Sequence, residues 1–470
     1  MKVKLEYGDD VVEVEAGSDV AVVTADGAVE PDPLVDPVGA TRSALANPLG
    51  VGPIGDLVGR GDTVTIAFPD RVKGGTQPTA HRRVVVPMLL DELERAGVRM
   101  ADVRLVCAIG LHRKNREAEI ADLLGPTVVE RADAPVIVNH DAEDEAGMVD
   151  LGTSELGDVV QVNRAVVEAD LSIMVSHAAG NPYGGYSGGY KMPSTGLTSW
   201  RSIAGHHSPR TLYRDDFVPP TPKSRFRDQL REIGRHIERA MPQPFFTVDA
   251  ALDSGSRQLG VWAGRIPEVE QASWPVAQLR TDQLVDGPPA DVLLVGMPRN
   301  FHYGKGMGSN PLLLMQAVGA SVIRAKAALV DKPFVITTSV CDGWFNAEDF
   351  PSYEEAFDRL ADCQHPADMV AHEEELATDE RWITKYRTEY GYHPFHAFSM
   401  IYMGGMAREH STQVYVAGAR RPGMARAMGA RTTATAEEAL REAADILGRQ
   451  PRVLVVPALS TPQFHLRVTG

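Results

Sequence analysis

The chain has few cysteines, no excess of basic residues and no long apolar run, and each shortage excludes a class of protein. Three cysteines in 470 residues (Cys107, Cys341 and Cys363) stand far apart without Cys-x-x-Cys spacing. That pattern fits a reducing compartment and leaves out a disulfide framework or a thiolate metal cluster. Lysine and arginine number 47 against 63 aspartates and glutamates, a formal net charge of −16. General nucleic-acid binding needs a basic face, which this balance does not supply. No stretch approaches the roughly eighteen consecutive apolar residues of a membrane span. The opening MKVKLEYGDDVVEVEAG alternates with period two and lacks the apolar core of a signal peptide, so it reads as a strand pair. A cytoplasmic protein with neither nucleic-acid nor membrane partners is expected.

What is present is ordinary globular composition, 43% hydrophobic and 23% charged, in a chain too long for one core. Short apolar runs (TVTIAFP at 63–69, VRLVCAIG at 103–110, PVIVNH at 135–140, DLSIMVSH at 170–177) alternate with helical patterns such as VVVPMLLDELERAGV. A second series begins with DVLLVGMP at 291–298 and runs through PFVITTSVCDGW, QVYVAGARRPGMARAMG and RVLVVPAL. The spacing predicts an α/β protein of two domains, each a mostly parallel sheet flanked by helices. The boundary is expected near 270–288, which divides the chain into 1–275 and 276–470. The charged RFRDQLREIGRHIERAM segment reads as a peripheral or connecting helix. Ligands of such sheets lie beyond the carboxyl ends of the strands, so the turns after Phe68, Ile109 and Val175 are where chemistry is expected.

The third of these turns opens HAAGNPYGGYSGGYKMPSTGLTSWRSIAGHH, residues 177–207. Gly188 and Gly189 let backbone press close to a bound group, and a desolvated Lys191 can become a nucleophile. Imidazoles nearby, His177, His206 and His207, can bind a transition metal or carry protons. A mobile glycine loop with a solvated lysine is the plainer alternative. Gly185 to Gly189 also satisfies G-x-S-x-G around Ser187, although no strand runs straight into the serine as a hydrolase elbow requires. The turn after Phe68, FPDRVKGGTQPTAHRR, sets Asp70 before the cationic Arg71 and Lys73, a set able to hold a hydroxyl and an anion, or merely a capped turn with solvated charges. His112 in AIGLHRKN can serve as a general base or stand as a surface residue at a helix start. In the second half, Asn300, His302, Tyr303 and Lys305 follow a strand end and could close over a substrate. His393, His396 and His410 match no tight metal spacing, and aromatic packing suffices for them.

Taken together, ALANPLGVGPIGDLVGRGDTVTIAFPD, the AIGLHR turn, LGTSELGDVVQVNRAVVEADLSI and GGYSGGYKMPSTG with AGHH resemble the lactate racemase family of nickel-pincer nucleotide enzymes. The likeness runs over nearly the whole chain, and S-G-G-x-K with a histidine sixteen residues later is its most specific part. The resemblance implies an active site in the cleft between the two domains. It implies that Lys191 is covalently linked to the cofactor, a Ni(II) pyridinium-3-thioamide-5-thiocarboxylic acid mononucleotide, and that His207 completes the nickel coordination, with His206 the adjacent alternative. It implies His112 as catalytic base, and Asp70, Lys73, Gly188 and Gly189 as cofactor contacts. Arg71, Lys73, Asn181, Tyr303 and Lys305 are expected to bind a small hydroxy-acid or sugar-acid substrate, and cofactor-synthesis proteins are implied as maturation partners.

The chain departs from the family pattern at several points. Leu111 stands where the family has threonine, Lys73 where it has arginine, and extra residues are inserted around TQPTAHRR. The second catalytic histidine of the family, ten residues before the lysine, is Asn181 here, and an amide cannot accept a proton in its place. His177 is the expected substitute. The resemblance implies an isomerase that racemises or epimerises a hydroxy acid by reversible hydride transfer. A protein that carries the cofactor without proton transfer, and a serine hydrolase using Ser187, are the alternatives.

Overall fold

A computed structural model describes residues 1–24, 30–218, 221–459 and 465–469. The chain divides into two compact units. One holds residues 30–206 and 222–280; the other holds the N-terminal strands, a short stretch from His207, and the chain from Thr281 onward. The expected division at 1–275 and 276–470 differs from this at the N-terminus, because Tyr7 and Gly8 pair with Met297 and Pro298 of a strand almost three hundred residues later. No local pattern announces such a pairing.

The first unit is built on six strands in the order Gln258–Arg265, Phe246–Leu252, Leu171–Ala178, Val64–Pro69, Val103–Ala108 and Val136–Asn139. All are parallel except Gln258–Arg265, which returns antiparallel along Phe246–Leu252. Val64–Pro69 is buried throughout, which is why these strands read as continuous apolar runs rather than alternating ones. The second unit has its own sheet, in which Ala290–Pro298 pairs in parallel with Leu329–Thr338 and Val453–Val456, and Leu329–Thr338 with Gln413–Ala417. The expected α/β architecture of mostly parallel sheets flanked by helices is the one the chain adopts. Among the described residues no helix is long and apolar enough to cross a membrane.

The helix Arg225–Glu238 corrects the expectation of a peripheral element. Phe226, Leu230, Ile233 and Ile237 are fully buried, and Arg227 is buried with them. Their spacing is an apolar stripe of helical period, which the charges between them mask. The stripe packs on the glycine segment: a Cβ at Gly234 would lie 2.2 Å from the Tyr190 ring, and one at Gly184 would lie 2.7 Å from Phe226.

Candidate active site

Val64–Pro69 and Val103–Ala108 are neighbours in register, with Pro69 opposite Ala108, so the turns that follow them emerge side by side. Asp70 and His112 meet there: His112 Nδ1 lies 2.6 Å from Asp70 Oδ2. Asp70 is almost fully buried, and its other oxygen accepts from the Val72 N–H. Burial alone would raise its pKa, but the His112 imidazole and the Lys73 ammonium hold it down at about 2. An ionised carboxylate can only accept, so Nδ1 carries the proton in this contact. That is the arrangement of a general base held by an orienting acid.

The turn carrying His112 is fixed to the lysine segment by backbone contact. Gly110 N–H donates to Gly196 O at 3.0 Å, and a Cβ at Gly110, whose φ is 55°, would lie 2.7 Å from Thr195 O. The turn before His112 is thereby held against the end of the short helix Lys191–Gly196.

Lys191 is buried, and its Nζ donates to Asn181 Oδ1 at 2.8 Å and to Tyr183 O at 3.2 Å. The Tyr183 and Phe226 rings stand 5.3 and 5.6 Å from it. Burial, then the cations Lys73 and Arg227, push its pKa well below the ordinary lysine value, which favours the neutral, nucleophilic amine. Asn181 thus holds the lysine. With Oδ1 engaged by Lys191 and by the Tyr183 N–H, its Nδ2 group is what remains for a substrate.

Two buried carboxylates hold the loop that presents this lysine. Gly189 N–H donates to Asp249 Oδ2 and Tyr190 N–H to Glu270 Oε1. Gly188 and Gly189 have φ of 76° and 54°; a Cβ at Gly188 would lie 2.8 Å from Asp249, and one at Gly189 2.0 Å from Glu270. Only glycine fits this curvature against those oxygens. Glu270 is itself paired with buried Arg227 at 2.6 Å, and Arg227 lies over the Trp274 ring. Sequence reading passed over Asp249, Arg227 and Glu270 because each stands in a segment with no motif of its own.

The remaining expected residues fall as follows. Ser187 Oγ donates to His177 O at 2.8 Å and accepts from Ala179 N–H, which closes the hairpin corner. The Leu171–Ala178 strand ends well before it, so the hydrolase elbow is absent. Arg71 faces Glu119 at 3.7 Å. Lys73 has no carboxylate within ion-pair distance among the described residues. His177 lines a cleft with His81 and Arg82; its pKa is pushed down to about 3 by burial first and then by Lys73, Arg82, His81 and Arg280. His206 is fully buried edge-on to Phe226, with Nε2 3.3 Å from Ser194 O and its pKa lowered to about 3, chiefly by burial. His207, buried just beyond the helix Trp200–His206, falls in the other unit. In that unit Tyr303 is buried against Tyr392 and His396, and Lys305 is exposed. His396 Nδ1 bonds the Tyr353 hydroxyl and His393 packs on Tyr386, the aromatic packing expected for them.

The fold and site thus define an α/β protein that holds a buried lysine on a carboxylate-clamped glycine loop and orients a histidine against a buried aspartate. Comparison with known proteins places that class. Residues 7–215 match the lactate racemase N-terminal domain. The curated lactate racemase of Thermoanaerobacterium thermosaccharolyticum is 30% identical over 166 residues, 35% of this chain and 37% of that protein. That of Lactiplantibacillus plantarum is 26% identical over 226 residues, 47% of this chain and 50% of that protein. The aligned segments therefore span half or less of these relatives. In fold, the lactate racemase apoprotein of T. thermosaccharolyticum superposes with a TM-score of 0.70 at 18% identity, over 99% of this chain and all of that one. A Thermotoga maritima protein superposes with a TM-score of 0.57 at 12% identity, over 94% of this chain. Residues 7–215 are thus similar to the lactate racemase N-terminal domain, and the chain as a whole shares the fold of the lactate racemase apoprotein.

Proposed function

We propose that the chain is a racemase or epimerase of a 2-hydroxy acid or sugar acid that works with a nickel-pincer nucleotide. The observation that carries this reading is the buried Lys191 Nζ on its clamped loop, its pKa pushed down by burial, in the unit that also holds the Asp70–His112 pair. The donor set fits the cofactor. An unprotonated amine is what a covalent acyl link requires. Among the described residues no group of three His, Cys, Asp or Glu comes together to hold a metal ion. A cofactor that brings its own sulfur and carbon donors needs one imidazole only, and His207 is assigned that role. When bound, the cofactor supplies a hydride acceptor.

The chain's own residues handle the proton and the anion. His112 Nε2 takes the substrate hydroxyl proton while Asp70 holds the ring in the required tautomer and stabilises its charged form. Lys73, without a carboxylate partner, offers a point charge for the substrate anion, and Asn181 Nδ2 a hydrogen bond to a further oxygen. Arg71 is part of the same reading only if substrate displaces Glu119. Tyr303 and Lys305 are assigned to substrate binding on the resemblance alone. His177 serves as the second proton carrier, since Asn181 is committed to Lys191.

Stereochemical scrambling of a hydroxy acid deuterated at its carbinol carbon tests this. Racemised product that keeps its label is the expected outcome; label lost to solvent contradicts the hydride route. The carrier reading is favoured by Asn181, and it predicts cofactor and nickel retained without turnover of any hydroxy acid.

A further inference from the structure

The cleft that holds His177 contains two groups that the scheme above does not use. Val175 and His177 point to the same side of their strand, toward the helix His81–Arg95. The cleft there is lined by Pro69, Gly74, Gly75, His81, Arg82 and Leu252 as well. It opens at the carboxyl ends of three parallel strands, where ligands of such sheets bind.

Arg82 is 3% exposed, and its guanidinium donates only to neutral carbonyls: Pro69 O at 2.9 Å, Asp70 O at 3.0 Å and Gly75 O at 3.2 Å. Its Nε is buried and unpaired, and no carboxylate lies within ion-pair distance among the described residues. His81 is 7% exposed, with Nε2 3.0 Å from Val248 O. A carbonyl only accepts, so that nitrogen carries the proton of the neutral ring, and burial keeps the ring neutral. Nδ1 is therefore a bare acceptor, buried and without a partner. Adjacent residues at one helix start thus leave a cation without an anion and an acceptor without a donor. Buried polar atoms are rarely left so unless something else satisfies them.

We propose that this cleft is a subsite for an oxyanion that bears a neighbouring hydroxyl, with Arg82 taking the anion and His81 Nδ1 accepting from the hydroxyl. Guanidinium grips a carboxylate or phosphate through paired N–H donors, which Lys73 cannot do, and this supplies the forked cation that the turn after Phe68 lacks. The chemistry has two sources, a 2-hydroxy carboxylate substrate or the ribose phosphate of a nucleotide. Assignment to substrate rests on the racemase reading; the existence of the subsite does not.

The full-length chain, prepared without cofactor, is titrated by calorimetry with lactate, gluconate, acetate and nicotinic acid mononucleotide, and His81 is followed by nitrogen-15 NMR. The proposal expects hydroxy acids or the nucleotide to bind about tenfold more tightly than acetate, the worth of one good hydrogen bond. It also expects the His81 Nδ1 resonance to shift as its lone pair becomes engaged. Hydroxy-acid binding assigns the subsite to substrate, and binding of the nucleotide alone assigns it to the cofactor. His81→Phe should abolish the preference over acetate, and Arg82→Gln should weaken every anion at least tenfold. Should Arg82→Gln fail to fold, the wild-type NMR titration and Leu252→Phe, which fills the cleft from its wall, decide. Unmoved Nδ1 with every ligand, or a folded Arg82→Gln of unchanged affinity, overturns the proposal. Neither readout needs nickel or turnover, so failure here is distinct from failure of the racemase reading.

Discussion

At the scale of residues, the site depends on which atoms hold protons. His112 is useful because Asp70 decides its tautomer. His112→Ala should leave cofactor loading intact and lower turnover about a hundredfold or more, the usual cost of losing a general base; steady-state kinetics of the loaded protein check this. Asp70→Asn keeps the shape but offers Nδ1 the wrong partner, so kcat should fall at least about tenfold. Asp70 also contributes to stability. Its pKa in the folded chain is about 2, below that of an ordinary aspartate, so the unfolded chain binds the extra proton. The contribution, on the order of 2 kcal/mol, is present above about pH 4 and lost as pH falls toward about 2. Acid unfolding of wild type and Asp70→Asn should converge in that window.

At the scale of elements, the glycine loop and the two helices behind it act as one clamp. Gly189→Ala places a methyl 2.0 Å from Glu270 Oε1 on a backbone at positive φ. It should cost more than about 2 kcal/mol in chemical denaturation. Glu270→Ala strands the buried Arg227 charge and should cost about 3–5 kcal/mol, the scale of a broken buried pair. The strands and the turns after them were legible because buried parallel strands read as short apolar runs separated by polar, helix-patterned segments. The clamp was not. Asp249 lies inside a strand, Glu270 and Trp274 inside a helix, and Arg227 behind the charges of its own helix; each acquires meaning only from what it touches. Gly188, Gly189 and Lys191 were readable in advance because their chemistry is local to one segment. The Asp70–His112 contact was not, since it joins two turns 42 residues apart that meet only through sheet register.

At the scale of the whole molecule, several buried imidazoles make the fold sensitive to mild acid. His140 is lowered to about 4, and His177 and His206 to about 3, in each case first by burial. An unfolded histidine takes its proton near pH 6.5, so between there and about pH 3–4 the unfolded chain binds more protons. Stability should hold above about pH 6.5 and fall steadily below it; a thermal-unfolding series from pH 7.5 to pH 4.5 reads this slope. His206→Asn should flatten part of it. The division into two units likewise accounts for what the sequence hid. The first strands belong to the sheet of the C-terminal half, so the chain begins and ends in one unit and carries its lysine loop in the other.

The most direct test is intact-protein and peptide mass spectrometry, with metal analysis, on chain co-produced with the cofactor-synthesis proteins. The account predicts added mass mapping to Lys191 together with bound nickel, both lost in Lys191→Ala. Matured protein whose Lys191 peptide is unmodified and which holds no nickel would contradict it.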